Sequence, residues 1–176
     1  MNTTETLSTH NIIYLKQGLD LLRTLDDQAY TSAQPPYHES CIGDHLRHCL
    51  EHYVSFLDGL DARRIDYDAR ARDVRIATSR PFAAQTIQDL IARLHAIPRD
   101  DKPLRVKMDC DKDAEHAAPW SPSSVERELQ YLMAHTIHHY ALIAVLLRLQ
   151  GYTPHEDFGV APSTLKYRKQ QLAPAQ

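Results

Sequence analysis

Six of the eleven histidines in this 176-residue chain fall in two short windows. His45, His48 and His52 form the first, and His135, His138 and His139 form the second. Imidazole is largely neutral near pH 7 and is the commonest metal ligand, so two such windows are a candidate metal centre. On a helix, the i, i+4 spacing of His135 and His139 sets two rings one turn apart on one face. One helix can then offer two ligands to one ion. At 100° per residue, His139 lies about 40° from His135, and Leu132, Leu142, Ile143 and Leu146 lie within about 80° of it. That face is expected to fill a core. A single inward histidine is ordinarily a satisfied polar core residue, but two on one face are harder to satisfy without water. Metal ligation resolves both. His138, about 60° to the other side, is expected at the surface or outside the ligand set.

The first window is less decisive. With His48 at zero, the apolar centre of its helix lies near 130°, His45 near 60° and His52 near 40°. Periodicity therefore slightly prefers His45 or His52 over His48 as the inward residue and does not choose among the three. Three neutral imidazoles with open positions suit a divalent transition metal such as Zn, Ni or Fe, and also Cu. Carboxylate-based sites are not indicated. The Glu-x-x-His pair of di-iron bundles is missing, as are the zincin HExxH, GxSxG, Walker A and GxGxxG patterns. Asp113-Ala-Glu-His116 reads as a charge cluster in a loop. His10, His38, His95 and His155 read as surface or loop residues.

The elements that must hold these residues are helical. Leu7, Ile12, Leu15, Leu19, Leu22 and Leu25 recur at three-and-four spacing, which predicts a helix over 5–31, ended by Gln34-Pro35-Pro36. A second helix is expected from about Ser40, its N-cap, to Leu60. It is followed by a charged connection over 61–78. A third, capped by Thr78 or Ser79 with Pro81 near its start, carries Phe82, Ile87, Leu90 and Leu94 and closes at Pro98. Leu104–Met108 alternate, predicting a short strand or extended connector. The fourth helix opens at Ser121-Pro122-Ser123, with Ser123 and Glu126 at capping-box spacing, and ends before Gly151. The fold class is all-α: a four-helix bundle with long connections, one domain over 1–176. Phe158, Val160, Leu165 and Tyr167 are expected to dock a C-terminal tail on it.

Composition narrows the function. A net charge of −3 with no Lys/Arg block argues against nucleic acid as a partner. Arg63, Arg64, Arg70, Arg72 and Arg75 alternate with Asp61, Asp66, Asp68 and Asp73, which reads as a solvated, self-paired face. The longest apolar stretch, Ala141–Leu147, is stopped by Arg148, so no membrane partner is expected. The N-terminus has neither a basic nor an apolar leader region. Cys41, Cys49 and Cys110 are odd in number and form no CxxC, so a reducing cytoplasm is expected. Cys41 and Cys49, about 12 Å apart along one helix, are too far apart to pair.

Gly43-Asp-His-Leu-Arg-His48, followed much later by His135-Thr-Ile-His-His139, resembles the DinB superfamily of metal-binding four-helix bundles. The resemblance covers nearly the whole chain in helix order and spacing. It implies that the second His of the H-L-x-H segment, His48, is a ligand, together with His135 and His139. This overrides the mild preference of the wheel, with His52 or His45 as the substitute. The resemblance also implies a metal-dependent enzyme, a transferase that uses a low-molecular-weight thiol or a hydrolase, acting on a small-molecule substrate. For hydrolysis, His52 or Glu128 is the candidate base, and a salt bridge is an equal reading for Glu128. The alternative is a non-catalytic metal-binding module in stress response or protein interaction; a third is a metal-free dimer with buried histidines. A homodimer is the expected assembly.

Overall fold

The computed structural model describes residues 2–33, 35, 40–98, 101–109 and 118–172. His38, Cys110 and the Asp113–His116 cluster lie outside the described residues. Four long helices form the body: α1 (Thr3–Thr24), α3 (Ile42–Gly59), α5 (Arg80–His95) and α6 (Val125–Leu149). Short helices α2 (Asp27–Thr31) and α4 (Val74–Thr78), and a C-terminal α7 (Pro162–Leu172), flank them. A small sheet completes the fold, made of β1 (Arg64–Asp66), β2 (Pro103–Lys107) and β3 (Ser121–Ser124). The expected helical bundle is present, with this sheet as an addition to it.

Local chemistry explains most element ends. The Asn2 side chain accepts the Glu5 N–H at 2.9 Å, so α1 starts earlier than position 5. The single helix expected over 5–31 is instead two. Leu25 is extended and buried, and Asp26 caps a new helix by accepting the Ala29 N–H at 2.7 Å. The N-cap of α3 is Cys41 rather than Ser40, and its N–H donates to Asp44 Oδ2 at 3.1 Å. Ser79 caps α5 with Pro81 in the first turn. Residues 121–124 form β3 instead of opening the last helix. Ser124, not Ser123, caps α6 through the Arg127 N–H. Tyr152 N–H donates to Leu147 O and Gly151 N–H to Arg148 O, with Gly151 at φ +83°, so α6 ends in a Schellman motif.

Helix α6 packs against α1 and α3, and α1 and α3 also pack on α5. By length and composition alone α6 could cross a membrane; here it is a central packing helix. The fully buried residues include Leu15, Ile42, Leu46, Leu50, Phe56, Ile87 and Leu129, which places the core where these helices meet. The charged connection over 61–78 holds β1 and α4. Strand β1 runs parallel to β2 with Ile65 opposite Val106, and β2 runs antiparallel to β3 with Leu104 opposite Ser123. Ile65 and Leu104 face the core, which fixes the sheet against it. In the tail, Phe158 is buried and its ring stacks on Tyr140 at 4.7 Å, and Val160 O accepts the Tyr14 hydroxyl at 3.2 Å. Leu165 is half-buried, but Tyr167 is 61% exposed and does not dock.

Gly159 lets the tail approach α6. Its φ is +69°, and a Cβ there would meet Tyr140 C and Ala141 N at 2.6 Å. Gly159→Ala combines left-handed strain with a backbone clash. We expect it to lower the melting temperature by about 4–12 °C, as a loss of about 2–3 kcal/mol would in a domain of this size. Thermal denaturation followed by circular dichroism measures it, and an unchanged midpoint would show that the tail can detach without cost.

Candidate metal centre

The site is built where the first half of α3 faces the middle of α6. At the start of α3, Gly43 permits close approach to α4: a Cβ there would sit 2.1 Å from Ala77 O. From that start, His45, His48 and His52 follow along one side of the helix. On α6 the core stripe is Leu129, Leu132, Thr136, Tyr140, Ile143 and Leu147, all buried. The wheel set His135 and His139 within the core face; in the structure both are half-buried beside it. Leu142, expected in the core, is 37% exposed. The reason is that α1 and α3 meet α6 across the Thr136–Tyr140 side, where Cys49 and Tyr53 meet Thr136.

The rings converge. The His48 centroid lies 4.6 Å from His52, 5.1 Å from His135 and 4.7 Å from His139. His135 lies 4.2 Å from His52 and 4.6 Å from His139. One donor atom from each of His48, His52 and His135 lies within 4.8 Å of the other two. His139 is not in that donor-atom group, although its ring lies close to the same two rings, 4.7 Å from His48 and 4.6 Å from His135. The arrangement is therefore two triangles on one common edge, with His52 at one apex and His139 at the other.

Hydrogen bonds distinguish the apices. His139 Nδ1 lies 3.1 Å from His45 Nδ1, and His45 Nε2 lies 3.1 Å from Ser40 Oγ. Two tautomer chains satisfy these contacts. The outward one, with His139 donating to His45 and His45 to Ser40, leaves His139 Nε2 unprotonated and free to ligate; the inward one, from the Ser40 hydroxyl, protonates it. His52 instead donates Nδ1–H to His48 O at 2.8 Å, and its Nε2 faces the Arg70 guanidinium at 3.3 Å. His52 is 2% exposed, the most enclosed of the group, and its ring stacks on Tyr67 at 5.3 Å. Tyr131 stacks on His135 at 5.5 Å. His138 is exposed, with its ring edge-on to His139.

The electrostatics hold the imidazoles neutral. Burial, aided by the Arg70 and Arg47 charges, lowers the His48 pKa to about 4. Burial also lowers His52 to about 4, against the opposing pull of its bond to the His48 carbonyl. Burial and the neighbouring histidines lower His135 and His139 to about 3. His45 is lowered as well, again by burial. His135 Nε2 is buried and makes no hydrogen bond among the described residues. A buried ring nitrogen without a hydrogen-bond partner costs free energy, which ligation of a cation through its lone pair recovers. Several unprotonated nitrogens around such an orphan fit a divalent transition metal.

Glu128 does not face this cluster as a free base. It is buried, accepting the Tyr67 hydroxyl at 2.6 Å on Oε2 and the Ser123 hydroxyl on Oε1, so its oxygens are occupied. Its partners are delivered by the sheet: Tyr67 directly follows β1, and Ser123 lies in β3. Sequence reasoning also missed Arg70. Its side chain is 14% exposed, with Nη1 on Tyr67 O and on His52, while the solvated pairing expected of its neighbours holds for Asp73 with Arg75 at 2.6 Å. A cavity of about 460 Å³ bounded by Gln17, Leu21, Leu147, Tyr152 and Phe158 contains none of the six clustered histidines.

Over 110 residues, the chain is 34% identical to a protein named FK506-binding protein 5 from Rhizopus delemar. That match takes in 61% of this chain and 28% of the relative, so the chain spans less than a third of that protein's length. The model of the DinB family matches residues 1–168. The chain belongs to the DinB family.

Proposed function

We propose that the protein is a metal-dependent enzyme whose divalent ion is held by His48, His135 and His139, and that it transfers a small thiol to an electrophile. Members of the family bind divalent metals, and the histidine cluster points to metal binding here. The observation that carries the ligand assignment is the buried His135 Nε2 without a partner, on the edge shared by both triangles. We assign His139 as the third ligand over His52, which completes the tighter donor-atom group, for an electrostatic reason. His139 is backed by neutral His45 and Ser40, the outward hydrogen bond that orients a ligating imidazole. Ligation by His52 would bring the cation against the Arg70 guanidinium, like charges in a poorly solvated place.

When bound, such an ion supplies Lewis acidity that lowers the pKa of a thiol or water at an open position. The chain's own residues do the remaining work. His52, protonated at Nδ1 by its bond to His48 O, is the ring to take the released proton only by exchanging the 3.3 Å contact of its Nε2 with Arg70. Tyr67 and Tyr131 stack on His52 and His135 and fix those rings. Burial raises the Tyr131 hydroxyl to about 12, so it stays protonated as a hydrogen-bond donor. Hydrolysis is the second reading, with the same exchange at His52 taking a proton from water.

The test is turnover of the zinc-, nickel- and iron-loaded protein with glutathione, bacillithiol and mycothiol against a chlorinated or epoxide electrophile. Thioether product in one combination, lost on chelation, is the expected result. Stoichiometric metal without turnover of any thiol or ester would instead establish a non-catalytic metal-binding module.

A further inference from the structure

We propose that Arg70 is a specificity-determining residue that selects a thiol carrying a carboxylate and seats that carboxylate beside the histidine cluster. This rests on the thiol-transfer reading and names its substrate class. Arg70 is held at the edge of the cluster: Nη1 contacts Tyr67 O and lies 3.3 Å from His52 Nε2. Its Nε is buried and faces Glu51 Oε2 at 4.0 Å, each without a hydrogen bond among the described residues, so Nε serves that ion pair. A guanidinium has five donors in a fixed fork that matches a carboxylate. With Nε on the Glu51 side and Nη1 on Tyr67 and His52, the donors left for an incoming carboxylate are on the terminal nitrogens.

The local charge balance agrees. Glu51, the nearest carboxylate, is buried, and its Oε1 accepts the Asp73 N–H at 2.5 Å. Its Oε2 lies 4.0 Å from Arg70 Nε and 3.8 Å from Arg47 Nη1, so one carboxylate is shared by two guanidiniums at ion-pair but not hydrogen-bond distance. Asp44 lies 3.7 Å from Arg47 rather than from Arg70. Glu128 is occupied by Tyr67 and Ser123. The histidines contribute no negative charge. A dication among neutral imidazoles next to a half-compensated arginine leaves a net positive site, which favours a dianionic ligand, thiolate at one end and carboxylate at the other. The field of Arg70 already reaches His48, His52, His135 and Tyr131.

The experiment compares 3-mercaptopropionate with its neutral analogue 3-mercaptopropanol. Each is titrated into cobalt(II)-loaded protein and followed by the sulfur-to-cobalt absorption band. Wild type is expected to bind the carboxylate thiol about tenfold more tightly, the value of one charge-assisted hydrogen bond. Arg70→Gln should abolish that preference while keeping its cobalt, and Arg70→Lys should keep part of it. Equal preference in wild type and Arg70→Gln, or none in wild type, overturns the inference and leaves the metal reading standing. Failure of wild type to take up cobalt overturns both. If the glutamine variant does not fold by circular dichroism, the wild-type preference and its reduction in Arg70→Lys decide the question.

Discussion

His135→Ala is expected to lose bound metal almost entirely. Its nitrogen is the orphan on the edge common to both triangles of rings, so neither triangle survives without it. The same holds for His48→Ala. Loss of one of three ligands should weaken affinity by at least about a hundredfold, since altering even groups outside the coordination sphere costs 10–100-fold. His139→Ala should also lose the ion if the assignment is right, whereas His52→Ala and His138→Ala should retain it. Elemental analysis of each purified variant reads the stoichiometry. Stability gives a second readout. At a metal concentration 100 times the dissociation constant, binding adds about 2.7 kcal/mol, which raises the melting temperature by about 5–11 °C in a domain of this size. That increment should vanish in His135→Ala. Stoichiometric metal in His135→Ala would sink the assignment, and a reversed ranking of His52 and His139 would move the centre to the other triangle.

The parts of this site differ in how far the sequence announces them, and the difference is physical. The helices are legible because burying one face imposes a three-and-four rhythm on Leu15, Leu22, Leu46, Leu50, Ile87 and Leu90. The close approach of His48, His135 and His139 is not periodic, and resemblance to the family named those three residues. The wheel ranked His52 as more inward than His48, and His52 is the more buried. Burial and ligation are different properties, because the deepest ring here is occupied by a backbone carbonyl and a guanidinium. Arg70 was hidden for the same kind of reason. Its neighbours pair locally, Asp73 with Arg75, or across strands, Asp66 with Lys107. Its own partners, the Tyr67 carbonyl, Glu51 and His52, come from a turn after β1 and from α3. No local pattern connects these. The small sheet was equally obscure, since three-residue β1 sits in a charged stretch and β3 is a Ser-Pro-Ser-Ser run with little strand propensity.

Acid should destabilise the metal-free protein well before its carboxylates titrate. An unfolded chain binds a proton on each histidine near pH 6.5. In the folded protein His48 and His52 resist protonation down to about 4, and His135 and His139 down to about 3. The unfolded state therefore binds more protons between those limits, and stability rises with pH through that window. The contribution is fully present above pH 6.5 and is lost as pH falls from 6.5 towards 3. The four rings interact and three are partly hydrated, so their effects do not add. Discounted for that screening, the group still costs about 2 kcal/mol at pH 5, or about 4–8 °C in melting temperature relative to pH 7. Replacing His135 with Gln, which has no titrating group, should flatten the curve between pH 6.5 and 4. A bound metal should steepen it, because protons then compete with the ion for the same nitrogens. A melting temperature constant from pH 7 to 5 in the metal-free protein would show that these rings are hydrated enough to protonate in place. The cluster would then be an open surface patch rather than the enclosed set of neutral donors that a three-histidine centre requires.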